Sequence, residues 1–451
     1  MTTTHPRRPP PGTPRPYHFP AYERQRLANG LTVWTVPLPE REMVSIHLLV
    51  DAGASAEPEA HGGVASLTAQ LLVTGTRRLD AAAFAEATEG LGIEVGSESS
   101  WDSARAGFSS LGRHATAGLE LLAEMVRSPR LDEGEFERLK GERLNDILQA
   151  RAEPGRLADE MFARHVYAEG VPYARLSAGT PETVGPLAVS DARAYHATHW
   201  APSTSHLILA GAIDADAALR AAEATFGGWQ GTGPGHRPVV PSGRDGRRVV
   251  IVDRPGSVQS ELRVGHVGID RYHPAYFPAT VMAALLGGVF GSRLNRRLRE
   301  DLGYTYGVRC GFDMRRAAGP FAAGAAVETD VTAPAVRELL AQLDRIRESP
   351  PEDDELSEVR DFLVGVFPLR FETTGGVAAA IEPLAVYGLP DDWWETYRAR
   401  IEAVTPADAH AAASDLIHPD QLVILVTGDA AKTRAELEEA AFGPIEVVSP
   451  A

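Results

Sequence analysis

His196 and His199, in the stretch Tyr-His-Ala-Thr-His-Trp, are spaced so that two imidazoles can share one metal ion. A site needs more ligands than that, and neither a third ligand nor a glutamate lies nearby, so the spacing alone makes no metal site. His61, next to Gly62 and Gly63, reads as a turn residue within reach of a cleft. Asp253 and Asp301 have no partner carboxylate that the sequence identifies. No Gly-x-Ser-x-Gly elbow, phosphate-binding loop or dinucleotide fingerprint occurs.

The elements that must position any site follow from length and periodicity. A chain of 451 residues is long enough for two or more cores. With 44 basic and 61 acidic side chains the net charge is −17, which repels phosphate backbones and anionic membranes and argues against nucleic acid as a partner. The single cysteine, Cys310, rules out an intramolecular disulfide and a cysteine-rich zinc site. The first twenty residues are basic and rich in Pro and Thr, without the apolar core of a secretory signal. No run approaches the roughly 18 apolar residues that span a membrane. A soluble, cytoplasmic protein is expected.

Residues 1–20 are expected to form a disordered tail. A strand, an Asn29-Gly30 turn and a second strand follow. Helical periodicity runs through 63–76, 80–91, 112–127, 132–150, 156–167 and 215–226, with a buried strand at 205–213. Residues 227–248, dense in Gly, Pro and Arg, read as a linker. Beyond it the order of elements repeats, with 275–299 mainly helical, a strand pair, and helices at 333–347 and 352–366. The Leu-Leu-Ala triplets starting at 121 and 339 lie 218 residues apart, and 421–429 echoes 206–214. A shift near half the chain length indicates two similar halves. The expected fold is α+β: two domains, 21–226 and 249–451, each an antiparallel sheet with helices packed on it.

Two stretches carry a resemblance to a known family. Gly-Val-Ala-Ser-Leu-Thr-Ala-Gln at 63–70, followed by Gly75-Thr76, resembles the Gly-x-Ala-His-x-x-Glu-His core of the pitrilysin/insulinase zinc peptidases. Ser66 and Gln70 fall where that family has its two zinc-binding histidines, and Ala69 where it has the glutamate that activates water. Asp146 lies near the place of the third ligand, beside Asn145. Serine and glutamine are poor zinc ligands and alanine is no base. The second stretch, 292–308, resembles the family segment that supplies an arginine and a tyrosine to the substrate backbone and the developing oxyanion. The matching residues are Arg299 and Tyr306; Arg297 and Tyr304 have the same separation but fit the register less well. Taken alone, this spacing reads as a surface helix residue and a strand core residue. The match extends over about residues 22–430, with Val171 and Ala174 departing from the family's usual His-Pro-Tyr-Gly.

The resemblance implies a chain of the small two-domain branch, like mitochondrial processing peptidase, that has lost its zinc site. It implies a non-catalytic subunit that binds no metal and supplies Arg299 and Tyr306 to a homologous, zinc-bearing peptidase partner acting on peptides. A peptide-binding or scaffold module without proteolysis is the alternative. A homodimer with weak hydrolysis through Asp146 is the third.

Overall fold

A computed structural model describes residues 12, 15–236 and 239–450. The first half runs β1 (Glu23–Arg26), β2 (Thr32–Pro37), β3 (Met43–Val50), α1 (Val64–Leu72), α2 (Ala81–Glu89), β4 (Glu94–Ser99), β5 (Ala104–Leu111), α3 (Ala115–Arg127), α4 (Glu133–Ala152), α5 (Pro154–Val166), α6 (Pro181–Val184), α7 (Val189–His199), β6 (Ser205–Gly211) and α8 (Ala215–Phe226). The second runs β7 (Arg248–Asp253), β8 (Gln259–Val267), α9 (Tyr276–Ala283), β9 (Val308–Phe312), β10 (Pro320–Glu328), α10 (Thr332–Glu348), α11 (Asp353–Val366), α12 (Thr374–Tyr387), α13 (Trp393–Glu402), α14 (Pro406–Leu416), β11 (Val423–Gly428), α15 (Ala430–Glu439) and β12 (Ile445–Val448). The two six-stranded sheets have the orders β1-β2-β6-β3-β5-β4 and β12-β7-β11-β8-β10-β9. Apart from their edge strands β1 and β12, these are one topology used twice. The pairings are mostly antiparallel, but β2 lies parallel to β6, and β7 parallel to both β11 and β12.

Strand side chains alternate between two cores, as a period of two requires. In β6, Leu207 and Leu209 join the helices of their own half, while Ile208 and Ala210 join a second core that extends into the other half. In β3, Val44, Ile46 and Leu48 face the first core, and Leu49 the second. The inner face of each sheet is closed by one helix from the opposite half: α12 packs on β3 and β6, and α5 on β8 and β11. Polar ties accompany this exchange. Ser45 meets Thr374 at 2.9 Å, His47 meets Glu382 at 2.8 Å, and Arg263 donates to Asp159 at 2.6 Å. Asp102, buried between the halves, accepts from the Tyr173 hydroxyl at 3.2 Å, the Tyr387 hydroxyl at 3.1 Å and the Arg316 amide at 2.9 Å.

One expectation needs correction. Residues 15–20 are not a free tail: Tyr17 and Phe19 pack on Phe367, Phe371 and Trp394, and His18 meets Glu395 at 2.6 Å. Three aromatic rings at 17, 19 and 22 outweigh the Pro-rich composition around them. Residues 1–11, 13 and 14 lie outside the described residues. The expected linker is the connection between α8 and β7, and it packs on its neighbours: Trp229 is buried, Gly243 bridges to Tyr167, and the Arg244 amide donates to the Val166 carbonyl at 3.3 Å. Residues 237–238 of that region lie outside the described residues. Residues 275–299 are mainly helical, as expected, but in two pieces. α9 passes into a π-helical turn (Ala284–Gly288), the chain becomes extended at Val289, and a second π turn spans Asn295–Asp301. Gly287, Gly288 and Gly291 favour such a break. No helix among the described residues is long and apolar enough to cross a membrane.

Candidate functional site

α1 begins at Gly63, whose φ of +97° is left-handed; a Cβ there would sit 2.7 Å from the Ala178 carbonyl oxygen and 2.9 Å from a Val184 methyl. Only glycine suits both the turn and the space. The first turn's orphan amides are met by a carboxylate: Glu57 accepts from Gly63 at 3.1 Å and from Ala65 at 2.7 Å, and it pairs with Arg175 at 2.9 Å. The Glu57 side chain is wholly buried, and that burial pushes its carboxyl up to about 7, with Arg175 and the amides pulling it down. The start of α1 is therefore held rigidly.

On this helix Ser66 and Gln70 lie one turn apart on one half-buried face, while Ala69 is fully buried in the core. α4 packs against α1 and carries Arg143 and Asp146. Arg143 Nη2 donates to Ser66 Oγ at 3.0 Å. Burial pulls the Arg143 guanidinium below its usual pKa, with Asp146 opposing. A hydroxyl, an amide, one exposed carboxylate and a guanidinium do not fit a zinc ion, which takes anionic or neutral N, S and O donors. Among the described residues no group of three or more His, Cys, Asp or Glu is arranged to hold a metal ion.

Arg299 stands on the second π turn with its guanidinium 3.7 Å from the Phe290 ring centroid and 3.5 Å from Glu300. Tyr306 precedes β9 and is 97% exposed, so it is no strand core residue. Asn295 fixes both arms of this region. Its Nδ2 donates to the carbonyls of Val289 at 3.2 Å and Val308 at 2.9 Å, and its Oδ1 accepts from the Val308 amide at 2.8 Å. The second register is engaged elsewhere: Arg297 holds Glu338 through two nitrogens at 2.8 and 3.2 Å, and Tyr304 packs against the core. π turns often mark functional positions because they re-aim side chains.

The two histidines of the H-x-x-H spacing are structural. His196 Nε2 meets the Val126 carbonyl at 2.9 Å, its ring stacks on Trp200, and burial pulls its pKa to about 4. The His199 ring lies 4.4 Å from that of Tyr195. His61 is half-buried in the turn before α1.

Residues 32–178 match the family profile described as insulinase, peptidase family M16, and residues 186–363 match that of the M16 peptidase inactive domain. The chain belongs to the M16 insulinase family. An uncharacterized zinc protease of Streptomyces coelicolor is 24% identical over 405 residues, covering 87% of each chain. A protein of Helicobacter pylori described as a non-peptidase homolog is 24% identical over 383 residues, covering 82% of this chain and 87% of that one. Among solved structures, an M16 inactive-domain protein of Pseudomonas fluorescens superposes with a TM-score of 0.85 at 26% identity, over 90% of this chain and 98% of that one.

This M16 chain is thus a non-catalytic type of family member, with the zinc-motif positions on α1 and the Arg-Tyr pair on the opposite half. No hydrogen bond or ion pair joins the two sets among the described residues. Sequence reasoning passed over Arg143 and Asn295. Arg143 stood inside the segment already aligned with the family's third ligand, and its helical register with Asp146 (i, i+3) was the available signal. Asn295 offered none, because its role lies in carbonyls that only the break after α9 brings together.

Proposed function

We propose that this chain is the substrate-binding, non-catalytic subunit of a heteromeric zinc metalloendopeptidase that cleaves peptides. The observation that carries the reading is a positive charge, Arg143, seated on Ser66, the first of the family's ligand positions. Two unit charges about 4 Å apart repel by about 4 kcal/mol at an effective dielectric of about 20, and a divalent ion fares worse. On this reading the chain binds no zinc itself. A homologous partner that keeps His-x-x-Glu-His contributes the metal, which supplies a Lewis acid and an activated water when bound.

This chain contributes Arg299 and Tyr306. Both donate to the carbonyl oxygen of the scissile peptide, and the bonds strengthen as that oxygen gains charge, with neither side chain changing its own. The substrate is a short or unfolded peptide, because a chamber closed between two subunits excludes folded proteins. A cytoplasmic location, motivated by the lone cysteine, belongs to the same reading, and cell fractionation tests it. The likeness to a non-peptidase homolog favours a second reading, a peptide-binding or scaffold module without proteolysis.

The test is zinc content and peptide cleavage by the purified chain, alone and mixed with a relative from the same organism that keeps His-x-x-Glu-His. The chain alone should be zinc-free and inert, and the mixture should outpace the relative alone. Arg299→Ala should lower kcat of the mixture on the order of 10²–10³. Unchanged kcat with Arg299→Ala overturns the Arg-Tyr role. Peptide binding with no gain of rate favours the second reading, and stoichiometric zinc with cleavage by the chain alone overturns both.

A further inference from the structure

The basic side chains of α4 are not equivalent. Arg138 pairs with Glu135 and Glu142, Lys140 with Glu137, and Arg151 with Glu160. Arg143 alone on this helix forms no ion pair among the described residues. Its Nη2 is spent on Ser66, and its Nε is buried without a partner. Its Nη1 has no partner among the described residues and is not shut off from solvent. Ser66 Oγ accepts from Arg143 and so keeps its own proton to give. Gln70, one turn along the same half-buried face, has no hydrogen-bond partner among the described residues. The Arg143 fork and the Ser66 hydroxyl therefore meet at one partly desolvated place, with Gln70 a turn along the same helix face; Asp146 acts on the Arg143 charge but is not paired with it.

We propose that Arg143, Ser66 and Gln70 form a carboxylate-binding site, which takes an acidic side chain or the C-terminus of a peptide. A guanidinium fork matches a carboxylate, and partial burial strengthens the contact. The place that holds a metal cation in active relatives would thus keep a positive centre and change its ligand from water to a peptide's anion. Asp146, exposed one turn further along α4, opposes the ligand's charge and weakens the site without occupying it. The inference rests on the reading that this chain meets peptides, but its test needs no partner subunit.

The probes are fluorescein-labelled alanine pentapeptides with a central Glu or Gln, each ending in a free acid or an amide. Fluorescence anisotropy with the full purified chain reads their affinities at low and at physiological salt. The Glu free-acid peptide should bind at least tenfold more tightly than the Gln amide, and the two mixed peptides identify which carboxylate is used. Arg143→Gln should weaken the acidic peptides about tenfold to a hundredfold and abolish the preference. Asp146→Asn, at an exposed position that tolerates change, should tighten them, and Ser66→Ala should loosen them. Equal affinity for the Glu free-acid and Gln amide peptides overturns the site, as does a preference that survives Arg143→Gln. So does failure of all four to bind, while a rate gain in the mixed-subunit assay would leave the peptidase reading standing.

Discussion

The Glu57 carboxylate meets the Arg175 guanidinium at 2.9 Å while wholly shut off from solvent, and the same carboxylate receives the amides that open α1. The helix bearing Ser66 and Gln70 is therefore anchored to a segment that lies far along the chain. Removing either charge strands the other in the interior. Glu57→Ala or Arg175→Ala should each cost about 3–5 kcal/mol, seen as a lower urea midpoint with an unchanged slope.

This pair also gives stability a pH signature. Burial raises the Glu57 carboxyl from 4.5 to about 7, so the folded chain holds this proton more tightly than the unfolded one. The resulting contribution is full below pH 4.5 and is lost as pH rises through about 7. Glu57→Gln does not titrate. The stability of the natural chain relative to Glu57→Gln should fall across that window, and a difference that stays flat in urea titrations between pH 4.5 and 7 would contradict the assignment.

Arg297 and Arg299, two residues apart, should separate cleanly in function. Arg297 is tied to Glu338 through two nitrogens, whereas Arg299 lies over an exposed Phe290 with only a longer 3.5 Å contact to Glu300. Arg297→Ala should slightly lower the melting temperature and leave cleavage by the mixed subunits intact. Arg299→Ala should do the reverse. Cleavage that fails with Arg297→Ala and survives with Arg299→Ala would transfer the role to the other register, with Tyr304.

Between the halves, Asp102 gathers three donors. Tyr387→Phe removes one and should cost about 1 kcal/mol. Asp102→Ala orphans all three and should cost on the order of 3 kcal/mol. In the double variant the two losses should overlap by about 1 kcal/mol. Strict additivity in urea unfolding would show that the Tyr387 hydroxyl does not depend on Asp102.

The helices of the first half were legible because apolar residues recur along them, as at Val64, Leu67, Leu71 and Leu72, and because Asp80 and Asp132 cap as such residues should. The repeat was legible because α3 and α10 occupy equivalent places and still share a triplet. α12 was not read as a helix. It carries Gly375, Gly376 and Pro383, which oppose helix locally, and it forms because its apolar face fills the inner surface of the first sheet. The degenerate motif could be read residue by residue, but its occupant could not. Arg143 is 77 positions from Ser66, and only the packing of α4 on α1 brings them together.

Exchanging α5 and α12 across the middle of the molecule has an implication for how the chain can be taken apart. Residues 21–226 alone would leave the inner side of their sheet bare and would carry a surplus helix with nowhere to lie. The second half would face the mirror problem. Neither duplicated unit retains independence, so the chain should melt in one step rather than two. A protease nick in the connecting stretch would produce two polypeptides that stay clasped, each serving as the other's missing piece.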